Sequence, residues 1–131
     1  MSSLPQVPLH ILVVDGDDAE LDRSRALLEE AGYVVSTVDL PDIGLVRRVE
    51  PDAVVLGLMF RGQASGLDFL ERHAADPVTS PVPVVVHASQ DELSAEQWTR
   101  LVALAHPVVP VSQSAERLLG ELQRVLVKVT A

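Results

Sequence analysis

Five short apolar runs alternate with amphipathic stretches along this chain, and that alternation constrains the fold more than any other feature. The runs are "HILVV" (10–14), "YVVSTV" (33–38), "AVVLGL" (53–58), "PVVVHA" (83–88) and "PVVPV" (107–111), bounded by turn-forming residues. Between the first two, Leu21, Ser24, Leu28 and Ala31, flanked by Leu27, fall on one helical face until Gly32 stops the pattern. A short helix follows in "PDIGLVRRVE" (41–50), opening at Pro41 or Asp42 and weakened by Gly44. A third helix spans "GLDFLERHAA" (66–75), and a fourth starts at Ser94, where Gln97 completes a capping box. Trp98, Leu101, Val102 and Ala105 form the apolar stripe of that fourth helix. The last helix, from about Ser114, sets Ala115, Leu118, Leu122, Val125 and Val129 on its inner face.

Repeated strand–helix units demand a parallel sheet, right-handed crossovers and helices on both faces. The pattern therefore predicts an α/β, doubly wound (βα)5 domain over 9–131 behind a short lead, 1–8, with no linker or internal repeat. The unbroken apolarity of "AVVLGL" places it centrally, while "YVVSTV" alternates and belongs nearer an edge. "PVVPV" is the weakest strand, because Pro110 has no N–H for a ladder. Any site lies at the carboxyl ends of the strands, around the switch point between the first and third. The residues there are Asp15–Asp18, Gly57–Met59, Ala88–Ser89 and Val111–Ser112.

Composition excludes several functions. With 131 residues and 47% apolar content the chain can build one core, though 3% aromatics leave it to Val, Leu, Ile and Ala. A formal net charge of −9 argues against nucleic acid or an anionic membrane as partner. The absence of cysteine removes disulfides, thiolate metal sites and a thiol nucleophile. No apolar run is long enough to span a bilayer, and "MSSLPQVPLH" lacks the features of a signal peptide, so a cytoplasmic protein is expected. His10, His73, His87 and His106 show no ligand spacing, although His87 sits near the end of the fourth strand.

The segments "ILVVDGDD", "LLEEAGY", "PDAVVLGLMF", "SGLDFL" and "PVPVVVHAS" resemble the receiver domain of bacterial two-component response regulators. The resemblance covers essentially the whole chain after residue 8. It implies a flavodoxin-like sheet of order 2-1-3-4-5. In that family, paired acidic residues after the first strand hold Mg²⁺ and the third strand ends in a phosphoacceptor aspartate. A Thr or Ser ends the fourth strand, and a Lys-Pro pair ends the fifth. Such a set suits phosphoryl transfer, in which a metal and cationic donors neutralise the transferring group.

Little of that set is carried over. Asp15 matches the first acidic position, but Gly16 stands at the second, with Asp17 and Asp18 directly after it. Gly57 stands at the acceptor and Ala88 at the hydroxyl, with Ser89 one residue late and expected to face the other way. The lysine position is Val111, or Val109 if Pro110 is the proline of the pair, and the one lysine of the chain is Lys128. The aromatic switch position is Val108, and the loop after Gly57 has Arg61 in place of the usual proline and one extra residue before Gly66.

The resemblance thus implies an atypical, aspartate-less pseudo-receiver: a non-enzymatic signalling module acting by phosphorylation-independent protein contact. The contact face would be the fourth helix, fifth strand and fifth helix, with Trp98, Val108, Arg117 and Glu121 as candidate interface residues. A histidine kinase, an output domain, another regulator or a second copy in a homodimer would be the partner. No cofactor is expected; a vestigial Mg²⁺ site at Asp15 and Asp17 competes with a role for Asp17 or Asp18 in capping the first helix. The alternative function is a small-molecule or nucleotide sensor using the pocket at the strand ends. Asp52 precedes the third strand and is expected at the wrong end of the sheet to replace the acceptor.

Overall fold

The computed structural model describes residues 8–112 and 115–130. Most of the 1–8 lead and the helix start expected at Ser114 lie outside the described residues, as do the side chains of Lys128 and Val129. The elements follow the expected order: β1 (His10–Val14), α1 (Asp18–Glu30), β2 (Val34–Val38), α2 (Ile43–Val49), β3 (Ala53–Leu56) and α3 (Ser65–Ala75). Next come β4 (Val84–Ala88), a 3-10 turn at Gln90–Glu92, α4 (Ala95–Ala103), β5 (Val108–Pro110) and α5 (Ala115–Thr130). The five strands form one parallel sheet in the order β2-β1-β3-β4-β5. This is the doubly wound, flavodoxin-like arrangement, with its switch point between β1 and β3.

Alternate residues of each strand feed two separate cores. Leu12, Val14, Val54, Leu56, Val84 and Val86 pack beneath α2, α3 and α4. Ile11, Val13, Val55, Val85 and Val109 pack beneath α1 and α5, where Leu21, Leu28, Leu118, Leu122 and Leu126 meet them. β3 is buried along its full length, whereas β2, at the open edge, buries Val35 alone.

Local chemistry sets the helix ends. The Asp17 carboxylate accepts from the N–H groups of Ala19 and Glu20, Asp42 caps α2, and Ser94 and Gln97 form the expected capping box on α4. Four expected core positions are exposed instead. Ala31 is the C-terminal cap of α1 rather than part of its face, and Ala115 opens α5 in solvent. α4 ends at Ala103, so Ala105, with φ of 58°, lies in the turn beyond it. Val102 is 71% exposed because Leu101, a third of a turn away, is the residue that faces the sheet.

Candidate functional site

The carboxyl ends of β1 and β3 meet where the Gly57 N–H donates to the Val14 carbonyl at 2.7 Å. Beyond that bond the chain turns and places the Asp15 carboxyl directly over Gly57. A Cβ built on Gly57 would lie 2.6 Å from Asp15 Oδ2 and 2.7 Å from its Cγ, closer than nonbonded atoms approach. The Asp15 side chain thus fills the space into which any side chain at residue 57 would extend.

Gly16 is closed in from the other side. A Cβ there would lie 2.6 Å from the Met59 carbonyl oxygen and 3.0 Å from Phe60 Cα. The pressing loop is a two-residue hairpin: Phe60 and Gln63 exchange N–H···O bonds of 2.8 and 3.0 Å. Arg61 and Gly62 between them have φ of 51° and 78°, the left-handed pair that a tight hairpin requires. Phe60 anchors the hairpin in the core under α2–α4. The signal for it in the sequence is the Arg61-Gly62 pair, an X-Gly step between two residues able to bridge.

Asp15 is half-buried, and burial pushes its carboxyl up from the ordinary 3.8 to about 6. The Asp17 N–H, donating to Asp15 Oδ1 at 2.9 Å, opposes the rise, while the nearby Glu20, Asp17 and Glu92 carboxylates add to it. These groups line a cleft of about 330 Å³ shared with Gly57, Met59, Arg61, His87, Ser89 and Val111. His87 is placed near this cleft by its position at the end of the fourth strand, but nothing in the spacing of Glu20 and Glu92 links their separate elements to it.

The donor set fits magnesium poorly. Asp17, one of the two expected ligands, is committed to the helix cap, and Asp15 Oδ1 to the Asp17 N–H. Gly16 and Gly57 contribute no oxygen from a side chain. Among the described residues no group of three or more His, Cys, Asp or Glu side chains could hold a metal ion. Asp52 is indeed at the opposite end of the sheet, where it accepts from the His10 N–H at 2.7 Å.

At β4 and β5 the structure corrects one orientation. Ala88 is 3% exposed and packs into the core with Val84 and Val86, whereas Ser89 lines the strand-end cleft. The strand ends at Ala88, so strict alternation no longer governs Ser89, whose hydroxyl accepts weakly from the Asp91 N–H at 3.4 Å. Val111 donates its N–H to the Ala88 carbonyl at 3.0 Å and presents an aliphatic side chain to the cleft.

The candidate interface residues divide around the β5 edge. Trp98 and Val108 are half-buried against the core under α4, while Arg117 is exposed on α5. Glu121 is drawn into an ion pair with Arg124 at 3.6 Å, its side chain 15% exposed. Val102, expected inside, instead adds an apolar group to the outer face of α4.

No family model and no curated protein matches the sequence. Solved structures do match the fold. A CheY-like response regulator receiver domain protein from Methanospirillum hungatei superposes with a TM-score of 0.78 at 18% identity, covering 95% of this chain and 98% of its own. The receiver domain of a signal transduction histidine kinase from Syntrophus aciditrophicus gives 0.79 at 18% identity, with 92% of each chain covered. The chemotaxis protein CheY4 of Vibrio cholerae gives 0.76 at 20% identity, covering 91% of this chain and 99% of its own.

The fold is that of a response regulator receiver domain. The described residues supply five strands, five helices and a strand-end cleft in that arrangement. Its cleft is an acidic pocket in which the Asp15 carboxyl rests on Gly57. Among the described residues no helix is long and apolar enough to cross a membrane.

Proposed function

We propose that this chain is a receiver-like signalling module that does not accept phosphate and works by protein–protein contact, without enzymatic turnover. The packing of the Asp15 carboxyl over Gly57 carries the reading. A working acceptor needs a carboxylate projecting from the end of β3 and a cation to neutralise the incoming group. Here β3 runs into a glycine with no carboxylate to phosphorylate, the Asp15 carboxyl occupies the space beside it, and the neighbouring Asp17, Glu20 and Glu92 would repel a phosphoryl donor. The same carboxylates disfavour a nucleotide in this cleft. Val111 supplies no ammonium, and magnesium has no adequate donor set, so the domain is proposed to act without a metal.

The contact surface proposed is the α4–β5–α5 side, where Val102 and Val127 are exposed apolar residues on the two helices. A kinase, an output domain, another regulator or a second copy would dock there, in the cytoplasm. The partner must bind one conformation of this side preferentially to transmit anything.

Intact-mass spectrometry after incubation with acetyl phosphate and Mg²⁺ tests the central point. The expected result is an unmodified chain; a phosphoryl adduct on any aspartate would overturn the proposal. Sedimentation velocity over a concentration series then separates self-association from contact with a different partner, and Val102→Asp should abolish whichever complex uses that face.

A further inference from the structure

We propose that the groove between α1 and α5 binds a small apolar molecule carrying one basic nitrogen. The cavity there measures about 290 Å³, at the small end of the range of ligand pockets, about 300–1,000 Å³. Its walls are Ala26 and Leu27 from α1 and Ala115 and Leu118 from α5, with Val111 between them. Glu20 and His87 bring polar groups at the end that adjoins the strand-end cleft, and Arg23, Ser24 and Glu30 line the groove along α1. An apolar body with a polar group at one end matches that division.

Charge decides the sign of the polar group. Glu20 accepts from the Arg23 guanidinium through Oε1, but the two side chains are placed unequally: Glu20 is 15% exposed and Arg23 67%. The carboxylate is held inward while its partner stays in solvent, where the pair is weak. Burial first, and Glu20 after it, raises the carboxyl pKa of both Asp15 and Glu92, which lie with Glu20 in the adjoining cleft. Glu30 adds a further carboxylate to the lining. An ammonium group would meet Glu20 in a partly desolvated position, where a charge-assisted hydrogen bond is strong. An anionic ligand would face Glu20 and Glu30 against the single guanidinium of Arg23, which also lines the groove, so negative charge predominates. His87, held neutral by burial, supplies a ring nitrogen but no competing positive charge.

The groove is distinct from the strand-end cleft yet joined to it: Glu20, His87 and Val111 line both. A bound cation would therefore alter the field around Asp15 and the packing of Val111. Amine binding in the groove does not depend on whether the chain accepts phosphate.

The test is an NMR titration of the ¹⁵N-labelled full chain with phenethylamine, against 3-phenylpropionate as the anionic counterpart. Phenethylamine should give saturable shifts at the amides of Ser24, Leu27, His87 and Leu118, and bind about tenfold or more tightly than the carboxylate. Glu20→Gln should cost about tenfold in amine affinity and leave carboxylate binding unchanged or improved. Ala26→Leu, which fills the groove from an exposed helix position, should remove the saturable shifts. No saturable response to phenethylamine at millimolar concentration, equal binding of both probes, or unchanged amine affinity in Glu20→Gln would each overturn the proposal.

Discussion

The Asp15 carboxyl rests against Gly57 across the β1–β3 seam, with Oδ2 2.6 Å from where a Cβ at residue 57 would stand. Even alanine at 57 must displace that carboxyl, and because it is the end of a side chain rather than backbone the cost falls at the low end of the ~1–3 kcal/mol of overpacking. Gly57→Ala should therefore unfold at lower urea concentration than the wild type. Asp15→Ala removes the obstructing group, so the double variant should recover most of the loss. Additive losses in the double-mutant cycle would show that the two residues do not compete for one space.

The raised Asp15 pKa makes stability pH-dependent in a direction opposite to that of a salt-bridged carboxylate. The folded value is about 6 against an ordinary 3.8, so the folded chain holds the extra proton between those limits. Stability from this group is fully present below about pH 4 and is lost as pH rises through 6. Asp15→Asn keeps the acceptor for the Asp17 N–H and discards the charge. It should be more stable than the wild type at pH 7.5, with the difference vanishing by pH 4. Denaturation at intervals across that range would reveal the convergence; a constant difference would place the Asp15 pKa elsewhere.

Residue pattern made the sheet legible, because each apolar run is short, bounded by turns and separated by a helical period. It also located the strand ends and the loss at Gly57, which depend on chain position alone. It missed what depends on neighbours. Apolarity alone places Val102 inside, but the phase of α4 gives the inward position to Leu101. Ser89 was turned the wrong way because the strand stops one residue before it. The contacts of Gly16 with Met59 and of Gly57 with Asp15 bring together separate segments, and single glycines do not announce them.

Asp17 discriminates between a helix cap and a metal ligand. Its Oδ1 accepts from Ala19 N–H at 2.9 Å and from Glu20 N–H at 3.3 Å, satisfying two otherwise unpaired donors of α1. Asp17→Ala should lower stability by about 1 kcal/mol, the usual cost of losing such a cap. The loss should be identical with and without Mg²⁺, and Mg²⁺ should leave the wild-type melting temperature unmoved at constant ionic strength. Stabilisation of the wild type by Mg²⁺ that disappears in Asp17→Ala would restore the metal reading.

His73 supplies a second pH dependence, of the opposite sign to that of Asp15. It is 1% exposed, and its Nε2–H donates to the Val82 carbonyl at 2.8 Å, which fixes the proton on that nitrogen. Nδ1 is buried without a partner, and the His106 ring stands edge-on with centroids 5.6 Å apart. Burial lowers the His73 pKa below the ordinary 6.5, with the Val82 bond and Asp76 opposing the fall. His106 is lowered as well, first by burial and then by His73. The unfolded chain therefore takes up protons that the folded chain refuses, and stability falls as pH drops below about 6.5. His73→Phe loses the bond to Val82 and should cost about 1 kcal/mol at pH 8. It should also flatten the acid slope between pH 7 and 5, because one refusing imidazole is gone and its effect on His106 goes with it. Urea denaturation of both proteins at each pH measures this; an equally steep slope in His73→Phe would show that the buried imidazole does not govern the acid response.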